Sequence, residues 1–187
     1  MKIHELIRSR RSIFPDQYVD RPVAKEDIEM MLEAANWAPT HRKTEPWRFK
    51  VVQKQGLVQL GEFLCNKYKE TTPKDKFSEF KHKKMLQNPQ KAGAVILICM
   101  QRDEKERLPE WEEIAATAMA VQNMWLTATE LGLGAYWSSP GLIQYMHEFV
   151  DLAPGERCLG LFYVGHYEGE HPEGQRQDIA EKVEWIF

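Results

Sequence analysis

The sequence predicts a helix-rich α+β fold with a sheet of four or five strands. Two runs, 92–100 (AGAVILICM) and 158–164 (CLGLFYV), are apolar on both faces, as strands covered from both sides are. Between them, residues 110–131 contain neither glycine nor proline, enough for about six turns of helix. At 187 residues and 21.9 kDa the chain fits a single domain spanning 1–187. Its 43% hydrophobic and 28% charged residues are those of an ordinary globular protein.

The elements follow in order. Ile3, Leu6 and Ile7 lie at i, i+3, i+4 and open the chain with a short helix whose end is crowded by Arg8, Arg10 and Arg11. Ile28, Met31, Leu32 and Ala35 stripe a second helix, acidic at its start and stopped before Pro39. Residues 48–53 (RFKVVQ) read as a strand, and Leu57, Leu60 and Leu64 as a third helix. Residues 73–91 are lysine-rich and read either as a solvated helical flap or as a basic rim for an anionic ligand.

In the long helix, Ile114, Ala115, Ala118, Val121, Trp125 and Ala128 form one stripe, yet Met119, Ala120, Met124 and Leu126 lie off it. A helix apolar nearly all round must be buried all round. So small a monomer offers little interior for that, so a subunit interface is expected along this helix. Gly132 stops it, 133–137 is a further strand, and 143–149 a short helix. The aromatic end, 183–187 (VEWIF), is expected to pack across a neighbouring subunit.

Several chemistries are excluded. The one GxG, Gly132-Leu133-Gly134, follows a helix and enters a strand, the reverse of a dinucleotide fingerprint. Gly56 to Gly61 has P-loop spacing, but Glu62-Phe63 stands where Lys-Ser/Thr is required. No GxSxG elbow occurs, and the six histidines never pair at metal-ligand spacing. A net charge of -3 disfavours nucleic acid, and no apolar run approaches a membrane span. Three scattered cysteines without CxxC suit a reduced, cytoplasmic setting. The 11% aromatic content reads either as a large-residue core with a self-association surface or as a pocket for a flat, conjugated ligand. Arg10, Arg11 and Ser12 read either as helix-dipole complementation or as a guanidinium fork, second cation and hydroxyl for a terminal phosphate.

The order RxRRSIF at the start, APTHRKTEPWRFKVV at 38–52 and ELGLGAYWSSPG at 130–141 resembles the flavin-dependent nitroreductase family in its short branch, over about residues 3–165. The resemblance implies an α+β sandwich, with a central antiparallel or mixed sheet flanked by helices. It also implies an intertwined homodimer holding FMN in two symmetric interface clefts. By the same resemblance, Arg10, Arg11 and Ser12 hold the FMN phosphate and ribityl chain, and His41 contacts FMN from the partner subunit. Trp37 stands at a nearby contacting position, where some relatives have arginine. Trp137, Ser138 and Ser139 match the segment returning along the flavin, and residues 129–132 the one some relatives use for nicotinamide. Lys43 and Glu45 depart from the amides common in the family loop; such a pair is expected either to salt-bridge or to alter substrate access.

The implied activity is hydride transfer from NADH or NADPH to FMN and then, by ping-pong alternation, reduction of nitroaromatics, quinones or similar flat acceptors. No side chain need be an obligatory acid or base. The alternatives are an FMN enzyme of the same fold with dehalogenating or ene-reducing chemistry, a flavin-binding protein without turnover, and a cofactor-free dimer.

Overall fold

A four-stranded antiparallel sheet in the order β1-β2-β4-β3 divides the computed structural model into two helical layers; the structure describes residues 2–170 and 173–187, leaving His171 outside. The strands are β1 (Trp47–Val52), β2 (Ala94–Gln101), β3 (Gly134–Ser138) and β4 (Glu156–Gly165). The helices are α1 (Ile3–Ser9), α2 (Lys25–Asn36), α3 (Gln55–Thr71), α4 (Glu79–Lys91) and α5 (Glu110–Glu130). β2 is buried on both faces because alternate residues serve separate cores. Ala94, Ile96 and Ile98 join α2 and α5, while Val95, Leu97 and Cys99 face α3. This is the sandwich expected from the sequence, and its four strands are extended by a short parallel bridge from Ser12 to Ala135 at the β3 edge.

α5 forms within the expected bounds, and Gly132 ends it at φ +72°, which only glycine adopts cheaply. Its inner face, however, is rotated from the stripe read in the sequence. Glu113, Ala116, Thr117, Ala120, Val121, Met124 and Ala128 are buried, whereas Ile114, Ala115 and Ala118 are half-buried. The rotation is possible because the buried polar groups are satisfied. Glu113 pairs with Arg102 and accepts the Asp103 N–H at 2.9 Å, and the Thr117 hydroxyl donates to the Glu113 carbonyl at 2.9 Å. Trp111 (67% exposed) and Met119 (41% exposed) are thereby left on the outer face.

The lysine-rich segment is helical and packs on α3, with Lys84 and Lys91 reaching Asp16 at 3.6 and 2.5 Å and Lys74, Lys76, Lys81 and Lys83 at the surface. α3 and α4 approach closely at Gly61, where a Cβ would lie 2.4 Å from the Leu86 carbonyl oxygen. Residues 141–148 form a 3-10 helix, which starts just after Pro140 and earlier than the expected 143–149. Trp185, Ile186 and Phe187 are exposed in the single chain.

Candidate functional site

The residues singled out by sequence fall at two places on the α5 side of the sheet. The first lies at the β3 edge. The Ile13 N–H donates to the Ala135 carbonyl at 3.0 Å, which stitches the Arg10–Ser12 segment beside β3. Trp137 lies two residues along the same strand, on the same face and about 7 Å from Ala135. It stands opposite Phe162 of β4. Phe162 meets Trp125 of α5 edge-on with ring centroids 5.4 Å apart, and the Arg10 guanidinium lies 4.6 Å from the Trp125 ring centroid. The Trp125 indole N–H donates to the Arg11 carbonyl at 3.3 Å. An aromatic row therefore runs from the arginines to the end of β3, where Ser138 pairs with Leu161 and Ser139 is exposed.

Beyond Arg10 the surface opens into a cavity of about 740 Å³, lined by Arg8, Arg10, Arg11, Arg176, Gln122 and Glu173 among others. Burial first, then the charges of Arg176 and Arg11, pull the Arg10 pKa below the ordinary arginine value. Four guanidiniums converging with one carboxylate favour an anion in their midst, and such an anion would relieve the strain on Arg10. At the other end of the row, the Trp137 Nε1 is buried without a hydrogen-bond partner among the described residues. The indole fits there only because residue 160 is glycine: a Cβ would lie 2.0 Å from that nitrogen. An anion cradle at the head of an aromatic wall suits an elongated ligand with a charged tail and a flat head. FMN is such a ligand.

The second place lies at the N-terminal end of α5. His41 sits in the loop between α2 and β1, with its Nδ1 2.7 Å from the Glu112 carboxylate. Arg42, Lys43 and Glu45 have φ of +51°, +57° and +42°. Each non-glycine residue in that region costs on the order of 1 kcal/mol, so the loop must be held by its neighbours. The Thr40 and Thr44 hydroxyls lie 3.2 Å apart, and the Glu45 N–H donates to Thr40 Oγ1 at 3.1 Å. Among the described residues no ion pair joins Lys43 to Glu45; both are exposed. Trp37, 79% exposed at the end of α2, donates its indole N–H to Glu33 at 2.9 Å. Residues 129–132 close the opposite end of α5, where the Thr129 hydroxyl donates to the Trp125 carbonyl.

One chain does not bring the two places together. Trp125, under Arg10, and Glu112, beside His41, lie 13 residues apart on α5, roughly 20 Å at helical rise. Sequence reasoning missed Arg176, Gln122 and Trp125 as neighbours of the arginines. Trp125 was read only as part of an apolar stripe, and Arg176 lies in a polar tail without periodicity.

Comparisons with known proteins agree with this fold. The chain is 34% identical over 182 residues to the candidate NAD(P)H nitroreductase YfhC of Bacillus subtilis, spanning 94% of this chain and 89% of that protein. The crystal structure of a nitroreductase-like family protein from Bacillus cereus superposes with a TM-score of 0.81 at 30% identity, covering 100% of this chain and 96% of the other. A candidate nitroreductase of Desulfovibrio desulfuricans, solved in complex with FMN, has a TM-score of 0.73 at 26% identity, covering 100% and 98%. The family model matches residues 7–166, and with the sandwich and these relatives in agreement, the chain belongs to the nitroreductase family.

Proposed function

We propose that this chain is an FMN-dependent oxidoreductase that takes electrons from NADH or NADPH and delivers them to a nitroaromatic, a quinone or a similar flat acceptor. It works as a cytoplasmic homodimer with residues 1–187 as one cofactor-binding unit. The observation that carries the reading is the arginine cavity, with the depressed Arg10 pKa, at the head of an aromatic row. The names of the Bacillus subtilis and Desulfovibrio desulfuricans relatives support the electron donor and the cofactor respectively. The three free cysteines suit a reducing compartment, and among the described residues no helix is long and apolar enough to cross a membrane.

In this reading Arg10 and Arg11 hold the phosphate with Arg176, and the Ser12 hydroxyl adds a neutral donor. Trp137, Ser138 and Ser139 border the ring system. When bound, FMN supplies the two-electron hydride chemistry. The chain's own groups bind, orient and leave one ring face open; none at the site is required to move a proton.

A second copy supplies Trp37 and His41. Ala118 and Met119 stand midway between Glu112 and Trp125, on the face of α5 left uncovered in one chain. Two α5 helices crossing antiparallel there set the His41 end of each beside the Arg10 end of the other, which resolves the roughly 20 Å gap. The small side chains of Ala115 and Ala118 allow the close approach.

The test is titration of apoprotein with FMN and with riboflavin, which lacks the phosphate. Arg10→Ala combined with Ser12→Ala removes one charge-assisted and one neutral hydrogen bond, about 2–4 kcal/mol together. FMN affinity is expected to fall about 30-fold or more, with riboflavin affinity little changed. Equal FMN affinity in the variant refutes the phosphate assignment.

A further inference from the structure

We infer that Glu112 is a positioning residue for the cofactor site: it fixes the ring of His41 so that Nε2 is the atom presented across the subunit boundary. The inference rests on the FMN-dimer reading above and adds a residue to it.

A carboxylate only accepts hydrogen bonds, so the Nδ1 that lies 2.7 Å from Glu112 must carry the proton. That bond sets the tautomer and leaves Nε2 with its lone pair free, or as a second donor when the ring is charged. The His41 side chain is 58% exposed, whereas that of Glu112 is 25% exposed. The carboxylate is thus the anchored member and the imidazole the presented one. Glu112 belongs to the first turn of α5, where the helix dipole favours a negative charge and the rigid helix fixes its position.

The loop side is held as firmly. Both Thr44 N–H and Thr44 Oγ1 donate to the His41 carbonyl at 3.3 Å, within a loop kept left-handed at Arg42, Lys43 and Glu45. Backbone strain of this kind is concentrated at functional sites. His41 and Glu112 also border a groove of about 310 Å³ that runs to Met119, on the α5 face assigned to the second copy.

The experiment is a double-mutant cycle on FMN affinity, measured by titration of apoprotein, with Glu112→Gln, His41→Gln and the double variant. Ring 15N shifts of selectively labelled histidine are read in parallel on cofactor-free protein, with His41 assigned from its variant. Expected are a loss of about 10-fold in FMN affinity for each single variant, the order seen when the partner of a functional histidine is removed, and no further loss in the double variant. Glu112→Asp is expected to regain most of the affinity. The His41 ring is expected to be protonated at Nδ1 in the parent and to shift toward the Nε2–H form in Glu112→Gln. Parental affinity in Glu112→Gln overturns the inference, as do losses that multiply in the double variant or an Nε2–H ring in the parent. If FMN binding is lost in the Arg10/Ser12 variant yet insensitive to Glu112, only the inference about Glu112 fails. If the parent takes up no FMN, the cofactor reading fails and takes this inference with it.

Discussion

Gly160 offers the sharpest test of how the sheet shapes the site. A methyl group added there would lie 2.0 Å from Trp137 Nε1, 2.7 Å from its Cδ1 and 2.9 Å from the Ser138 carbonyl oxygen. Non-bonded atoms settle near 3.5 Å, so in Gly160→Ala the indole must retreat by about 1.5 Å. The Ser138 contact adds a backbone atom that cannot rotate away. Overpacking of this kind costs about 1–3 kcal/mol. For a chain of this length each kcal/mol lowers the melting temperature by about 2–4 °C, so 2 kcal/mol corresponds to about 4–8 °C. Because Trp137 borders the proposed ring site, FMN affinity is expected to fall about 10-fold as well. Gly141→Ala is the control: a Cβ there meets nothing within 4 Å, so the change is expected within about 0.5 kcal/mol. The measurements are thermal melts of the two apoproteins by circular dichroism and an FMN titration of each. A Gly160→Ala protein with the parental melting temperature and flavin affinity would refute the claim that this glycine makes room for the indole.

Two further outcomes follow from the same geometry. Met119→Glu places a charge at the midpoint of the proposed α5 crossing and is expected to convert the dimer to a 21.9 kDa monomer, with His41 removed from the flavin. Light scattering after gel filtration reads the mass, and an intact dimer would place the interface elsewhere. At alkaline pH, Tyr18 is the group to watch. Its buried hydroxyl donates to the Ile13 and Tyr163 carbonyls at 2.9 and 3.2 Å, and burial first, then Tyr163 and Tyr136, raises its pKa above the ordinary value near 10. The folded chain therefore holds that proton more tightly than the unfolded chain. The associated stability is complete below about pH 10 and is lost as pH rises toward the folded value. Urea midpoints from pH 8 to 11 are expected to fall less steeply in Tyr18→Phe, and identical slopes would contradict the assignment.

What could be read in the sequence depended on whether a residue's task left a local pattern. β2 and β4 were legible because a strand covered on both sides must be apolar throughout. The end of α5 was legible because Gly132 is the one residue that closes a helix left-handed without cost. The inner face of α5 was misread because Glu113 and Thr117, polar by type, are buried: Glu113 finds Arg102 and the Asp103 N–H outside the helix, and the Thr117 hydroxyl bonds back to the Glu113 carbonyl within it. The arginines were legible as an anion site only in part. Arg10 and Arg11 form a local cluster, whereas Arg176 comes from a segment with no periodicity and meets them only in the folded chain. The His41–Glu112 contact joins residues 71 positions apart, and no spacing rule reaches that far.

The bridge between Ser12 and Ala135 has a kinetic side. The arginine-bearing segment is among the first parts of the chain to be synthesised, yet its sheet partner emerges more than a hundred residues later. The cradle therefore closes only once β3 has been made. Being a short edge attachment, it is also among the first parts to open again. On the proposed phosphate assignment, coenzyme exchange needs only fraying of this edge while the central strands stay zipped, which separates the lifetime of the loaded state from the global stability of the molecule.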